Sequence, residues 1–465
     1  MNPDSVADSM KNGVSDVMLQ QILIYNQRHD PLTGLLTFPA FKDALTGMLA
    51  DVRPDEEQAV VWIDLLNVRR EFSLWGWDAA ESLIRGVGLS LESGLARNTL
   101  IGRFGGRCFA FAVRAAKTDL AARKHIQDVV DTISRLGAHE LDTTPLLSAG
   151  VAFYPSDASG AEELIRFASM AAGCARHTHG AMVLPFQHGM NNVLVRHHKL
   201  EVEIGKALAQ DQFTMFYQPN VDLITGKVLG AEALMRWNHP EWGPVAPSEF
   251  IPVAERSNLI HGLFDFSLRS ALKRARAWNR AGIAPGIIAV NVSPANLRRD
   301  DFPRRVRSLM EELPIAPMQL ELEITESLLL DDEQLFAARM RQLKTIGVRL
   351  AIDDFGTRYT GFNLLKRLPL DAMKIDRCFI RGIHRSEDMR VLCRTIVAMA
   401  RQMKLRTVAE GIEEMEELEV LQEIGCDDGQ GYLFQRPLPM GDFEDFLRAW
   451  PKRSVSFGFE IAQAS

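Results

Sequence analysis

A chain of 465 residues is longer than one hydrophobic core usually serves, so two domains are expected. Hydrophobic residues at 46% and charged residues at 24% describe an ordinary globular protein and exclude a disordered or fibrous one. The net charge of −7 offers no general attraction for nucleic acid or anionic lipid, so an anionic ligand has to be drawn in by local cations or bound metal. The five cysteines, Cys108, Cys174, Cys378, Cys393 and Cys426, lack paired spacing, which argues against a zinc knuckle or disulfide framework and suits a reducing cytoplasm.

The opening segment has no basic stretch leading into an apolar core and a small-residue cleavage site. No later apolar run reaches the roughly 18 residues of a membrane span, so a cytoplasmic protein without a preceding sensor domain is expected. Within residues 1–25, Val14, Val17, Met18, Ile22 and Tyr25 fall at spacings of three and four. That pattern predicts an amphipathic helix, packed on the next domain or used for dimerisation.

Residues 26–186 alternate helix-like segments (41–50, 79–91 and 119–136) with strand-like runs (59–63, 108–113 and 146–153), an α/β pattern. A helical linker follows over 187–199, part of a longer helical stretch with His197, His198 and Lys199 at its middle. A second domain over 200–452 and a tail over 453–465 complete the expected organisation.

The second domain repeats one pattern: short apolar runs ending in a polar residue, separated by amphipathic stretches. The runs are IIAVNVS (287–293), LELEITE (320–326), VRLAIDDFG (348–356), AMKIDR (372–377), LRTVAEGIE (405–413) and CDDGQGYLF (426–434). Alternating buried strands and helices fit a (β/α)8 barrel of the TIM type better than an open sheet, though spacing alone leaves both available. In a barrel, Asn291, Glu323, Asp353, Lys374, Glu410 and Gln430 would meet at one mouth.

Glu232, Glu323, Asp353 and Asp354 are hard oxygen donors and Asn291 a neutral one, a set that suits Mg²⁺ or Mn²⁺ rather than zinc. Gathered without metal, these carboxylates would repel one another. A carboxylate of the Asp353–Asp354 pair could bridge two metals, which together could clamp a phosphodiester and activate a water. Lys374 could orient that water or offset transition-state charge, and Glu410 could accept its proton. The bland alternative makes each acidic residue a helix cap or a surface ion pair.

With these residues in view, the segment from Tyr217-Gln218-Pro219 through GAEALMRWNHPEWGPVAPSEFIPVAE (230–255) resembles the opening of an EAL domain, the cyclic di-GMP phosphodiesterase family. The signature is Glu232-Ala233-Leu234, continuing to Arg236-Trp237. NVSPANL, ELEITES, IDDFG, MKID, VAEGIE and GQGYLF follow in the family's order, covering about 200 to 450. The resemblance implies metal ligands at Glu232, Asn291, Glu323, Asp353 and Asp354 for a two-metal Mg²⁺ or Mn²⁺ site. It places Lys374 and Glu410 on the attacking water, Gln430 in support, and Glu326 steadying the loop after Asp354. Gln218, Leu234 and Arg236 are implied substrate contacts, Arg236 to a phosphate, a geometry its planar fork suits. Glu413 is either a support to the site or part of the acidic helix face 413–423. One departure stands out: where the family usually reads Gly after Phe-Gly-Thr, this chain has Arg358, and the loop continues to Phe362 with Gly361 inside it. Losing that glycine restricts positive φ, so reduced activity or greater dependence on a partner is expected.

Residues 30–41 (DPLTGLLTFPAF) resemble the start of a GGDEF domain, the diguanylate cyclase family. Asp64 matches a metal aspartate, but Leu66 takes the second acidic position, Phe72 and Ser73 replace an Asn-Asp pair, and Arg107 and Cys108 stand where Asp and Glu belong. Arginine cannot coordinate Mg²⁺, and the product-inhibition motif Arg-x-x-Asp fails because Leu100 follows Arg97 by three. A degenerate domain without cyclase activity is implied, one that regulates by contact or binds GTP as a sensor. His177 with His179 read as a solvated turn rather than a metal pair. Trp75 and Trp77 beside Arg69 and Arg70 read as packing or a partner surface.

The expected activity is hydrolysis of cyclic di-GMP to linear pGpG by a homodimer, with no nucleic-acid polymer as partner. Two rivals stay open at this point: a non-catalytic cyclic di-GMP receptor or protein-interaction module, and a bifunctional cyclase, which Arg107 and Cys108 disfavour.

Overall fold

The computed structural model describes residues 25, 27–53, 56–68, 72, 76–115, 118–135, 145–175, 183–326, 333–356, 365–453 and 457. The expected helix over 14–25 (except Tyr25), Arg69, Arg70, Ser73, Trp75, His177, His179 and the loop 358–362 lie outside the described residues. The chain divides into two compact units, Met1–His198 and Lys199–Ser465. The helix Met190–Ala209 runs through the boundary.

In the first unit, strands β1 (Gln58–Leu65), β2 (Leu100–Phe104), β3 (Cys108–Arg114), β4 (Leu147–Tyr154) and β5 (Val183–Pro185) form one sheet in the order β2-β3-β1-β4-β5. Strand β1 lies between two antiparallel partners, β3 and β4, and its side chains are buried on both faces. Period-two alternation then separates two cores. Ala59, Val61, Ile63 and Leu65 pack with Val87, Leu91, Val129 and Val130 from the helices Trp77–Gly94 and Leu120–Ser134. Val60, with Ala110 and Ala152, packs instead on Phe41, Leu45, Leu164 and Ala168 from Phe38–Ala50 and Ala161–Ala175. Strand β2 is an addition to the expected elements, since its five residues carry no clean alternation. Residue 119 is a cap rather than a helical position: the Asp119 carboxylate accepts the N–H of Ala121 and Ala122 at 2.9 and 3.1 Å.

Asp30 accepts from both Thr33 and the Arg103 guanidinium, whose Nη1 lies 2.8 Å from each carboxylate oxygen. Burial works against that charge, but the hydrogen bond from Arg103 and its field outweigh it and hold Asp30 below its ordinary range. A depressed carboxylate stabilises the fold above its unfolded pKa and loses that contribution as pH falls through the folded value. Asp30→Asn is therefore expected to cost about 1 kcal/mol at pH 7 after allowance for solvent screening. In urea titrations the gap from the parent should close as the solution is acidified below the ordinary aspartate range.

In the second unit, β6 (Phe213–Asp222), β7 (Val228–His239), β9 (Ile287–Val292), β10 (Leu320–Thr325), β11 (Arg349–Phe355), β12 (Ala372–Ile375), β13 (Arg406–Glu410) and β14 (Asp428–Gln430) close into an eight-stranded barrel. Two short strands, β8 (Gly243–Val245) and β15 (Leu438–Pro439), extend β7 and β6. Neighbours from β7 to β14 run parallel, whereas β6 is antiparallel to both β7 and β14. The tight β6–β7 hairpin requires that reversal, because a parallel pair would need a long crossover.

Strand β10 shows how the sequence builds the barrel wall. Leu320, Leu322 and Ile324 join the core shared with Phe336, Leu309 and Leu343 of the surrounding helices, and the alternate Glu321 and Glu323 line the interior cavity. Among the described residues, no helix is long and apolar enough to cross a membrane.

Candidate active site

The parallel strands deliver their polar residues to one end of the barrel by register. Glu323 stands opposite Asn291 on β9, Asp353 opposite Thr325 on β10, and Glu410 opposite Gln430 on β14. Gln218 of the reversed strand stands opposite Glu232. Lys374 is the cation at the centre and is 2% exposed. Its Nζ lies 2.7 Å from Glu410, 2.9 Å from Glu323, 3.2 Å from Asp353 and 3.5 Å from Glu232. Burial opposes the ammonium charge, but Asp353, Glu232, Glu323 and Glu410 together overcome it and hold Lys374 protonated well above its usual value.

Two neutral amides clamp Glu232 from opposite sides. Asn291 Nδ2 donates to Oε1 at 2.7 Å, and Gln430 Nε2 donates to Oε2 at 2.8 Å. Gln430 also donates to Gln218 Oε1 at 2.9 Å, and Gln218 donates onward to the carbonyl of Gln435 at 3.1 Å. Burial disfavours the Glu232 charge, yet Lys374 and these donors bring its carboxyl below the ordinary range. Glu323 goes the other way, pushed well up by burial and by the charge of Glu232. Burial likewise raises Glu410 to about 8 and Asp354 to about 6, the latter helped by Asp353.

Consecutive residues of a regular strand face opposite sides, so Asp353 and Asp354 should not share a site. A register shift between Ile352 and Phe355, with Asp354 at φ 54°, removes that obstacle. Carboxylate oxygens of Asp353, Asp354 and Glu410 consequently lie within 4.8 Å of one another. Gly356 follows at φ 97°, where a Cβ would meet Phe379 at 2.5 Å, and its N–H donates to Glu326 Oε2 at 2.9 Å. Glu326 thus holds the turn that presents Asp354.

The donor set fits a divalent cation. Glu232, Glu323, Asp353 and Glu410 surround one ammonium, leaving an excess of negative charge in a buried space. Glu323 Oε2 is buried without a hydrogen-bond partner, and every oxygen offered is hard. A second group, His384, Glu414 and Glu417, is a poorer fit. Glu417 already accepts the N–H of Gly382, Glu413 and Glu414, and Arg385 stands beside Glu414. Glu413 itself is exposed ahead of the helix Met415–Ile424.

Toward the rim, Arg236 lies over Phe216 at 5.5 Å and is half-buried, as is Leu234. The sequence reading missed two rim residues, Tyr432 and Arg436: the guanidinium lies 4.1 Å from the centre of a ring that is 49% exposed. Their sequence signal was adjacency to Gln430.

In the first unit, the Asp64 carboxylate is engaged by its neighbours. Trp62 Nε1 donates to Oδ1 at 3.0 Å and the Cys108 thiol donates to the same atom at 2.9 Å. Leu66, Phe72 and Trp77 are exposed at 38%, 41% and 70%, and the Phe72 and Trp77 rings lie 4.7 Å apart.

Comparison with known proteins places both units. The EAL domain family model matches residues 201–437, just over half of the chain. The chain belongs to the EAL domain family. Ahead of that EAL domain, the model for the diguanylate cyclase GGDEF domain matches residues 27–181. Among curated relatives, the cyclic di-GMP phosphodiesterase NbdA of Pseudomonas aeruginosa is 35% identical over 434 residues, 91% of this chain and 54% of NbdA. The cyclic di-GMP phosphodiesterase PdeR of Escherichia coli is 31% identical over 429 residues, 91% of this chain and 64% of PdeR. The chain thus spans between half and two thirds of these relatives' length. A solved structure of PaMucR phosphodiesterase in a c-di-GMP complex is 36% identical, with a TM-score of 0.51, covering 53% of this chain and 99% of that one.

Proposed function

We propose that the EAL domain hydrolyses cyclic di-GMP to linear pGpG at a site for two divalent cations, Mg²⁺ or Mn²⁺. The observation that carries this is Lys374 set among Glu232, Glu323, Asp353 and Glu410, with Asp354 turned onto the same side by the bulge. The relatives named above as cyclic di-GMP phosphodiesterases support the choice of substrate.

Glu232, Asn291, Glu323, Asp353 and Asp354 would hold the cations. When bound, these supply Lewis-acid charge at the phosphodiester and lower the pKa of the attacking water. Lys374 orients that water and balances negative charge as a phosphorus–oxygen bond forms to it and one ester bond breaks. Glu410, beside Lys374 and Asp353, takes the water's proton, and the departing ribose oxygen gains one from solvent. Gln218 and Gln430 hold Glu232 in place. Arg236 receives a phosphate in its planar fork, Leu234 packs beneath the ligand, and the Tyr432 ring offers a face for a guanine base.

The GGDEF domain is regulatory in this reading and does not make cyclic di-GMP. Asp64 already accepts from Trp62 and Cys108 on one oxygen, which competes with Mg²⁺ there, and Arg107 brings a cation to the same loop. The exposed Leu66, Phe72 and Trp77 favour a protein regulator over GTP there.

Metal dependence tests the reading. Treatment with EDTA is expected to abolish turnover of cyclic di-GMP, and Mg²⁺ or Mn²⁺ to restore it. Turnover that survives exhaustive chelation would defeat the two-cation site.

A further inference from the structure

Beneath the catalytic carboxylates, the barrel interior is charged where bulky aliphatic side chains are the rule. Two residues before Glu323 on β10 stands Glu321, 3% exposed. Four residues before Glu410 on β13 stands Arg406, and Asp428 precedes Gln430 on β14. Arg406 Nη1 pairs with Asp428 at 3.0 Å, and Asn220 Nδ2 donates to that same carboxylate at 3.2 Å.

The contacts to Glu321 are different in kind. Its carboxylate lies 3.7 Å from Arg406 Nη2 and 3.6 Å from Arg349 Nε, both too long for a direct hydrogen bond. Glu321 Oε2, Asn220 Oδ1, and Nε and Nη2 of Arg406 are all buried with no hydrogen-bond partner. Leaving so many buried polar atoms unpaired would cost about 1–3 kcal/mol each.

The residues that own these atoms line one small cavity. Asn220, Glu321 and Arg406 share it with Glu232, Glu323, Lys374 and Gln430, and its volume is about 10 Å³. That is room for a single water. A bare cation would face Arg406 and Lys374, and an anion would face Glu321 and Glu323. A water suits both, because it accepts from Arg406 and donates to two of the surrounding oxygens.

We propose that this cavity is a site for one ordered water that accepts from Arg406 and donates to Glu321 Oε2 and Glu323 Oε2, and that Arg406 is a positioning residue which fixes Glu323 through that water. The water gives Glu323 a fixed neighbour from below, while Lys374 holds its Oε1 from the side. Groups that orient a ligating carboxylate typically change metal affinity by about 10–100-fold when removed. The role of Arg406 rests on the proposed metal site; the water does not.

Two measurements on the full chain test this. A high-resolution crystal structure should show density about 2.7–3.2 Å from Glu321 Oε2 and Glu323 Oε2. A dry cavity overturns the water site. Calorimetric titration with Mn²⁺, without substrate, should show Arg406→Gln binding about tenfold more weakly than the parent, with Arg406→Lys recovering most of the loss. A folded Arg406→Gln variant whose Mn²⁺ affinity stays within twofold of the parent overturns the positioning role. Should Arg406→Gln fail to fold, Glu321→Gln takes its place under the same two criteria. Absence of Mn²⁺ binding by the parent would remove the metal reading and the role of Arg406 with it, while the density would still decide the water.

Discussion

Lys374→Met is expected to lower kcat for cyclic di-GMP by about 10²–10³-fold and to destabilise the metal-free protein by about 3–5 kcal/mol. The two effects have one origin. Lys374 is within 3.5 Å of four carboxylates, and its loss leaves them buried together without their shared counter-charge. Methionine fills much of the same volume, so packing alone does not produce the destabilisation. Added Mg²⁺ should restore much of the lost Tm, because a bound cation substitutes for the missing ammonium in neutralising the cluster. It should not restore kcat, since the group that orients the water stays absent. A variant with unchanged metal-free Tm in calorimetry would show that the carboxylates are neutralised in some other way.

Glu232→Gln should abolish turnover almost completely, by about a thousandfold or more, equivalent to ~4 kcal/mol of barrier. Its effect on stability should have the same sign as that of Lys374→Met but be smaller. The amide keeps the shape of the side chain, and Asn291 or Gln430 can turn to accept from it. The fold holds the Glu232 charge below the ordinary carboxylate range, so losing it should lower metal-free Tm, by less than Lys374→Met because Lys374 keeps three other carboxylate partners. Mn²⁺ should bind more weakly by calorimetry. Equal destabilisation by both variants would mean that the cluster acts as a structural ion-pair network rather than as a site awaiting metal.

Much of this centre was legible in the sequence because strand ends in a parallel barrel converge whatever their separation in the chain. Asn291, Glu323, Asp353, Lys374, Glu410 and Gln430 each close an apolar run, and register brings them together. The hairpin of β6 and β7 was harder to see. Its motifs around Gln218 and Glu232 were recognisable, but nothing local specifies that β6 runs against both its neighbours.

Side-chain direction was the second gap. Strand periodicity alone would have sent Asp354 to the face opposite Asp353, and the left-handed backbone at Asp354 corrects this. The Gly356 N–H held by Glu326 across 30 positions is tertiary information. The same holds for the first domain, where Arg107 and Cys108 marked a departure from a cyclase but gave no hint that the Cys108 thiol and the Trp62 indole converge on Asp64. Arg406 and Glu321 attracted no notice at all, because a charge two to four residues inside a strand usually signals an outward, solvated face. Here the barrel is closed and those residues point inward.

Product analysis of cyclic di-GMP incubated with the purified full chain and Mn²⁺ tests the central claim most directly. The expected result is linear pGpG as the product, absent with EDTA and absent with Glu232→Gln. Cyclic di-GMP that binds and is recovered intact, in a sample shown by calorimetry to hold Mn²⁺, would contradict it.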